Sequence, residues 1–450
     1  MTYIKNREEL TSHGYKRERE VTLDIIDYAL QAADPYWATK ELVHLDGRIL
    51  NVGQLRFNLS QRGNIYVFGM GKATFAIAKA LEEILSENIS GGIIIVKRGQ
   101  AGTLRRIKVR EASHPLPGRY GWRAAKELVR MAEATKEGDI AFCAITGGCS
   151  ALAPLPIPEI SLGDKRRVTE LLLRSGATIR EINAVRKHLS SIKGGRMALA
   201  IFPAEIINLT VSDVIEDPLD YITGPTVPDT STFADAVSVL ERYNLMHRTP
   251  EPIRNYLQMA TPELETPKDF SGLPVHTFVL VKSASICEAA AKKAKALGFN
   301  SMILTTCLEA ESREAGSLFA SIGKEIQRHQ RPIRPPCAVV AGGESTVVIR
   351  GKSGYGGPNQ EFVIGAALKL DESDRVVIAA IDSDGTDGPT NIAGGIVDAS
   401  TVTRARKQGH DIFAHLVHHD TSSILQKLSD AIVTGHTGTN VNDLKVMLVS

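Results

Sequence analysis

The sequence predicts an α/β protein of two domains with mainly parallel sheets flanked by helices. Three observations carry that prediction. Short β-branched runs alternate with amphipathic helical stretches, the pattern of parallel strands joined by right-handed helical crossovers. At 450 residues the chain exceeds one ordinary core and allows about three domains of ~150 residues or two larger ones. A proline-rich stretch with little periodicity, Thr249 to Pro274, separates two such alternating regions. The expected domains are therefore residues 1–265 and 272–450.

In the first region Ile65–Phe68 is a strand that passes through Gly69-Met70-Gly71 into a helix from Ala73 to Leu85, with Ile77, Ala80, Leu81 and Ile84 on one face. Strands follow at Ile93–Val96 and, more weakly, Ile107–Val109. Gly121–Ala134 reads as a helix, and Ile140–Ile145 as a buried strand ending at Thr146-Gly147-Gly148. Two helices, Asp164–Ser175 and Ile179–Lys193, precede a strand at Ile206–Val211 that exits at Ser212-Asp213; Ser231–Tyr243 is helical. The second region opens with strand Val275–Val281, helix Ala284–Leu297, strand Ser301–Thr305 and helix Arg313–Gln327. Strands Ala338–Ala341 and Thr346–Ile349, a helix opened by Pro358, strand Val376–Ile381 and a last strand Lys445–Val449 complete it. In parallel sheets ligands gather beyond the carboxyl ends of the strands, so the residues just after each strand matter most.

Composition narrows the function. Lys plus Arg number 53 against 51 Asp plus Glu, a formal net charge of +2, which argues against a nucleic-acid binder. Hydrophobic residues make up 43% and charged ones 23%, the balance of a globular protein rather than a disordered or membrane one. The charged N-terminal stretch lacks the apolar segment of a signal peptide. The five cysteines, Cys143, Cys149, Cys287, Cys307 and Cys337, show no CxxC spacing and are expected to be reduced, as in a cytoplasmic protein.

Several familiar motifs fail. Gly69-Met70-Gly71-Lys72-Ala73 is no Walker A loop: Tyr66 stands where its first glycine belongs, and Ala73 offers no hydroxyl. It is an imperfect dinucleotide fingerprint, with Thr74 at the third glycine. Arg98 after the next strand could accept a 2′-phosphate, which leaves an NADPH-dependent 2-oxo-acid reductase open. Glycine-rich strand exits survive. Gly69 to Lys72 joins backbone N–H groups to a cation at a helix start, the physics of an anion site or simply of a tight turn. Thr146-Gly147-Gly148-Cys149-Ser150 adds a hydroxyl; Gly351 to Pro358 and Thr434 to Asn440 are further loops of this kind. Asp213, Glu344, Asp382, Asp384 and Asp387 lie at other strand exits, where acids either form turns or hold a hard cation beside phosphate oxygens. On the helix from Ile179, Ile182, Val185, Leu189 and Ile192 form the core stripe, while Asn183, Arg186, Lys187, Ser190 and Lys193 make a face that is either solvated or binds an acid. His188 reads as structural; His114 is open. Anion loops with scattered acids fit phosphoryl transfer better than hydride or acyl transfer.

Taken together, these strings resemble the class II glycerate kinases, whose C-terminal half is called the MOFRL domain. The matching stretches include Phe68 to Ala73, Ser113-His114-Pro115, Thr146 to Leu152, Ile182 to Arg196, Ser212-Asp213-Val214, Gly224-Pro225-Thr226, Ala341 to Val347, Asp384 to Thr390 and Thr437 to Asp443. The resemblance implies two α/β domains around an active-site cleft and ATP- and Mg²⁺-dependent phosphorylation of D-glycerate, commonly at the 2-hydroxyl. It implies Lys72 and Asp213 as catalytic residues, the lysine on the phosphoryl group or carboxylate and the aspartate orienting the hydroxyl or a metal. Gly71, Gly147, Gly148, Ser150, Asn183, Arg186 and Lys193 would bind substrate. Gly356, Gly357, Asn359, Thr437, Gly438, Thr439 and Asn440 would bind nucleotide phosphate, with Glu344, Asp384 and Asp387 at the metal. Expected partners are a sugar acid and a nucleotide, with no nucleic acid or membrane; a homodimer stays open.

Two departures touch the site. The family's Gly-Gly-Arg-Asn-Gln-Glu becomes Gly356-Gly357-Pro358-Asn359-Gln360-Glu361, which removes a cation that Lys352 could replace. The family's Ser-Asp-Val-x-Gly-Asp becomes Ser212-Asp213-Val214-Ile215-Glu216-Asp217. Another sugar acid as substrate, or a non-catalytic sugar-acid sensor, therefore stays open beside the kinase.

Overall fold

The computed structural model describes residues 2–114, 116–212, 224–349, 351 and 353–450. The chain forms two compact units, residues 35–280 and residues 1–34 together with 281–450.

The 35–280 unit begins with a three-stranded antiparallel sheet of β1 (Val43–Asp46), β2 (Ile49–Val52) and β3 (Leu55–Asn58). Its main sheet contains β4 (Ile65–Met70), β5 (Ile89–Lys97), β6 (Lys108–Ala112), β7 (Ile140–Ile145), β8 (Glu205–Ser212) and β9 (Val275–Lys282), in the order β6-β5-β4-β7-β8-β9. The pairings from β6 through β8 are all parallel, as the alternation requires. Helix Thr74–Leu85 crosses from β4 to β5, and helix Arg119–Ala132 from β6 to β7. Phe68, Met70, Ile93, Ile95, Leu128, Cys143 and Ile145 share the core between sheet and helix. Helices Leu162–Leu173, Ile179–His188, Phe233–Arg242 and Glu251–Gln258 build a separate small core from Val168, Leu172, Ile182, Val185, Phe233, Leu240 and Tyr256.

Three sequence expectations shift here. The helix expected to reach Lys193 stops at His188. There Ser190 pairs with Pro156 in a bridge and Ser191 N donates to Leu155 O at 3.0 Å, so a distant segment takes the backbone groups that further helix would have used. Val275–Val281, expected to open the second domain, lies at the edge of the first sheet, where Ile206 N donates to Pro274 O at 2.8 Å. Thr346–Ile349 is not a strand: Thr346 makes one isolated bridge to Glu311, and Val348 and Ile349 are exposed. β-branched residues alone do not make a strand without a neighbour to pair with.

The other unit holds β10 (Asn300–Leu308), β11 (Cys337–Gly343), β12 (Val376–Asp382), β13 (Gly394–Asp398), β14 (Ala431–Ile432) and β15 (Asp443–Val449), ordered β10-β11-β15-β12-β13-β14. Only β10 and β11 pair in parallel; β15 runs antiparallel between β11 and β12, and β12, β13 and β14 pair antiparallel in turn. This sheet is mixed where the sequence suggested parallel strands. β12 and β13 are joined by a loop with no crossover helix, and such a connection returns the chain antiparallel.

Residues 1–34, expected in the first domain, pack with this second unit. Helix Lys16–Ala32 lies against helix Ser283–Ala296, β12 and β15. Arg19, fully buried, ties it down: its Nε donates to Asp398 Oδ2 at 2.6 Å and its Nη1 to Asp430 Oδ1 at 2.8 Å. The boundary between the units falls at 280/281. All five cysteines are free thiols. Among the described residues no helix is long and apolar enough to cross a membrane.

Candidate active site

In the 35–280 unit the exits of β4 and β7 meet. Gly71 N donates to Ile95 O at 3.1 Å, Lys72 N to Gly147 O at 2.9 Å and Ala73 N to Thr146 Oγ1 at 3.1 Å. The three amides expected to cradle an anion are thus already bonded, and what the turn presents is the half-buried Lys72 side chain. Gly148 has φ +87°, a conformation that favours glycine. A methyl group there would sit 3.3 Å from His114 Cδ2 and Nε2 and 3.4 Å from Lys72 Cγ. The bare backbone of Gly148 therefore lets the imidazole and the lysine stem close on it from two sides.

Beside this loop lies a buried cationic cluster. Lys193 is fully buried and its Nζ donates to Ser150 Oγ at 2.6 Å. Burial pushes its ammonium down to about 8; the Cys149 sulfur opposes this and Arg186 adds to it. Burial also lowers the Arg186 guanidinium, which again feels Cys149. Lys165, on helix Leu162–Leu173, donates to Leu189 O at 3.0 Å and is pushed well below the usual lysine range by burial and by Lys193, Arg186 and Arg196. Asn183 is buried one turn before Arg186 on the same helix face. Two buried lysines, each pushed down by burial and by neighbouring cations, form a site that an anion would stabilise.

This has a pH consequence. An acid bound beside Lys193 raises its proton affinity, so binding takes up a proton above pH about 8. The KM for an anionic substrate is expected to rise by up to about tenfold per pH unit above that point. Lys193→Met should flatten the rise; an unchanged profile in the variant would remove Lys193 from substrate binding. Folding responds with the opposite sign. Between about 8 and 10.5 the unfolded lysine holds a proton that the folded one lacks, so this group's contribution to stability grows as pH rises.

The basic face of this helix is therefore not solvated. Lys187 pairs with Asp229 at 2.8 Å, both buried. His188 is structural, as its sequence context suggests, held between Ala184 O and Glu265 Oε1 at 2.7 Å each. Gly71, Lys72, Gly147, Gly148, Ser150, Asn183, Arg186 and Lys193 all belong to this unit; Asp213, and with it the Ser-Asp-Val departure, lies outside the described residues beyond Ser212.

The 281–450 unit gathers the remaining residues. Pro358 is the first residue of helix Pro358–Ala367, where a missing N–H costs nothing. Asp387 caps that helix: Oδ1 accepts from Asn359 N and Nδ2 at 3.1 Å each, and Oδ2 from Gln360 N at 3.0 Å. Burial and the nearby Asp443 push its carboxyl up to about 7. Asn359 Nδ2 also donates to Asp443 Oδ1 at 2.8 Å, and Lys445 Nζ donates to Asp443 Oδ2 at 2.6 Å. A side chain on Gly357 would collide with Asp387, and one on Gly356 with Thr421 and His419, so neither position has room for one. Thr437 N donates to Asp384 O at 3.3 Å, and the buried Gly438-Thr439-Asn440 turn follows, with Gly438 at φ +85°.

The acids suggested for a metal lie in different surroundings. Glu344 is exposed, and Asp384 Oδ1 accepts from Thr386 N and Oγ1 at 2.8 and 2.6 Å as a turn former. Among the described residues no three His, Cys, Asp or Glu side chains form a cluster that could hold a metal ion. Amides and Lys445 already engage the two buried carboxylates, Asp387 and Asp443, so the residues that would hold Mg²⁺ beside phosphate oxygens are Asp384 and Glu344. Lys352 lies outside the described residues.

Sequence reasoning named Thr146 in its loop but gave no role to Lys165, Asp443 or Lys445 in these networks. Lys445 did leave a signal: a cation in a strand that is buried on both faces.

Residues 21–258 match a family model described as a domain of unknown function (DUF4147), and residues 337–443 match the MOFRL family. The chain is 42% identical over 437 residues to a glycerate 2-kinase of Pyrococcus horikoshii, covering 96% of this chain and 97% of that protein. A putative hydroxypyruvate reductase of Agrobacterium vitis is 37% identical over 436 residues, covering 96% and 94%. The crystal structure of a glycerate kinase from Thermotoga maritima superposes with a TM-score of 0.83 at 36% identity, over 97% of this chain and 100% of that one.

Proposed function

The chain belongs to the glycerate kinase family, and from that premise we propose that it transfers the γ-phosphoryl group of ATP to D-glycerate, at the 2-hydroxyl, in the cytoplasm. The observation that carries this reading is the buried cluster of Lys193, Arg186 and Lys165 behind Ser150, on the loop whose Gly148 the Lys72 stem approaches. A small carboxylate placed there offsets charges that burial otherwise penalises. Ser150, whose hydroxyl accepts from Lys193, is the proposed hydroxyl contact of the acid. Lys72 is the cation nearest the two glycine exits and neutralises charge developing on the transferred group. Asp213, which follows Ser212 in the sequence, is the proposed residue that orients the attacking hydroxyl. When bound, Mg²⁺ supplies charge neutralisation on the nucleotide phosphates. In the other unit, Thr437 to Asn440 is the proposed nucleotide contact: Thr439 Oγ1 is buried and lacks a hydrogen-bond partner among the described residues.

The reductase reading finds less support. A dinucleotide at the β4 turn would need backbone amides that instead donate to Ile95, Gly147 and Thr146.

The test is ADP release from Mg-ATP with D-glycerate beside a panel of related sugar acids, followed by phosphorus NMR of the product. Turnover with D-glycerate and a 2-phosphate signal are expected. Turnover only with another acid would retain the kinase and reassign the substrate. No turnover from folded protein, together with saturable NADPH binding, would overturn the proposal in favour of a reductase.

A further inference from the structure

A pocket of about 540 Å³ opens in the 35–280 unit between helix Leu162–Leu173 and the segment Tyr243 to Arg248. It shares no lining residue with the candidate active site. Arg167, Arg174 and Arg248 line it with His247, against a single acid, Glu170. Arg167 and Arg174 stand seven positions apart, two turns along one face, while Lys165, Val168 and Leu172 occupy the buried face of the same helix. Among the described residues none of the three guanidinium groups takes part in an ion pair or side-chain hydrogen bond. With His247 neutral, the lining carries two uncompensated positive charges.

Two other polar groups of the pocket, Tyr243 and Ser175, are engaged within the fold. Tyr243 donates its hydroxyl to Glu181 Oε2 at 2.9 Å, and Ser175 Oγ donates to Leu172 O at 2.8 Å. Those bonds fix the walls: Glu181 closes the capping box of helix Ile179–His188, and Lys165 joins the pocket helix to Leu189 just past that helix's end. A preformed concavity with three arginines whose guanidinium groups have no partner among the described residues favours an anion with several oxygens, which guanidinium forks bind in pairs. Leu171 and Leu245 add an apolar floor for a short carbon skeleton. We propose that this pocket is a second anion site, separate from the catalytic one, that binds the phosphate group of a small phosphorylated molecule.

The test is isothermal titration of inorganic phosphate and of glycerol 2-phosphate into the full chain at constant ionic strength. Both titrations are run in a Lys72→Met background, to weaken anion binding at the active site. Saturable binding is expected, weakened at least about tenfold by Arg174→Gln with Arg248→Gln, the loss expected for charge-assisted hydrogen bonds. A tighter constant for the ester identifies a phosphorylated metabolite as the ligand; equal constants identify free phosphate. Equal binding with and without the arginines, or no saturable binding at all, would overturn the proposal. Because the readout is binding, it stands or falls independently of which acid the enzyme phosphorylates.

Discussion

Lys72→Met is expected to lower kcat with the preferred acid by about 10²–10³-fold or more, the effect of deleting one preorganised charge at a transferring group. The melting temperature should stay within about 2 °C of the parent, as for substitutions that create no cavity or buried charge. Methionine is the informative choice because the lysine stem packs near Gly148, where its Cγ lies 3.4 Å from the position of an added methyl. Met keeps that packing and removes only the ammonium. The neighbouring amides cannot substitute for it, since those of residues 71–73 donate elsewhere. A variant that turns over normally would show that the buried Lys193 and Arg186 suffice and that Lys72 is a bystander. A variant that melts early would move the lysine from chemistry to folding.

Arg19→Met should destabilise the 281–450 unit by roughly 3–5 kcal/mol, the cost of breaking a buried ion pair from one side. That corresponds to a fall in Tm on the order of 10 °C. Arg19, Asp398 and Asp430 are fully buried, and Arg19 bridges the two carboxylates. Asp430 keeps Arg404 at 2.6 Å and His13 at 2.9 Å, but Asp398 would be left with Ser400 and the backbone N–H of Tyr15. Burial would raise both carboxyls; the Arg19 charge overcomes it and holds them below the ordinary range. Their contribution is therefore complete above the unfolded carboxylate range, near pH ~4, and is lost as pH falls through the lowered folded values. The stability gap between parent and variant should be full at neutral pH and narrow in acid. A fall in Tm below about 2 °C would show that the apolar packing of helix Lys16–Ala32 alone holds the N-terminal segment.

Much of the 35–280 unit was legible because its information is local. Parallel strands buried on both faces read as apolar runs, so β4, β5, β7 and β8 lie where the runs predict. The strand exits then name Lys72, Gly147, Gly148 and Ser150 without further help. Less of the other unit was legible. β15 comes from the end of the chain yet inserts between β11 and β12, and no local pattern states which strands will flank it. The short strands β13 and β14 went unnoticed because neither carries enough periodicity to register.

By itself, the sequence determined the α/β class, the strand exits where chemistry gathers, and a resemblance to the glycerate kinases that the comparisons bear out. Only the tertiary structure decided which groups at those exits remain available. The amides after β4 are taken by residues of β5 and of the loop after β7; Lys193 is buried against a serine 43 residues away; and residues 1–34 join the far half of the chain through Arg19. The physical reason is common to all three. A residue type declares what it can donate, accept or carry, but whether that capacity is spent depends on partners that only the fold brings within 3 Å.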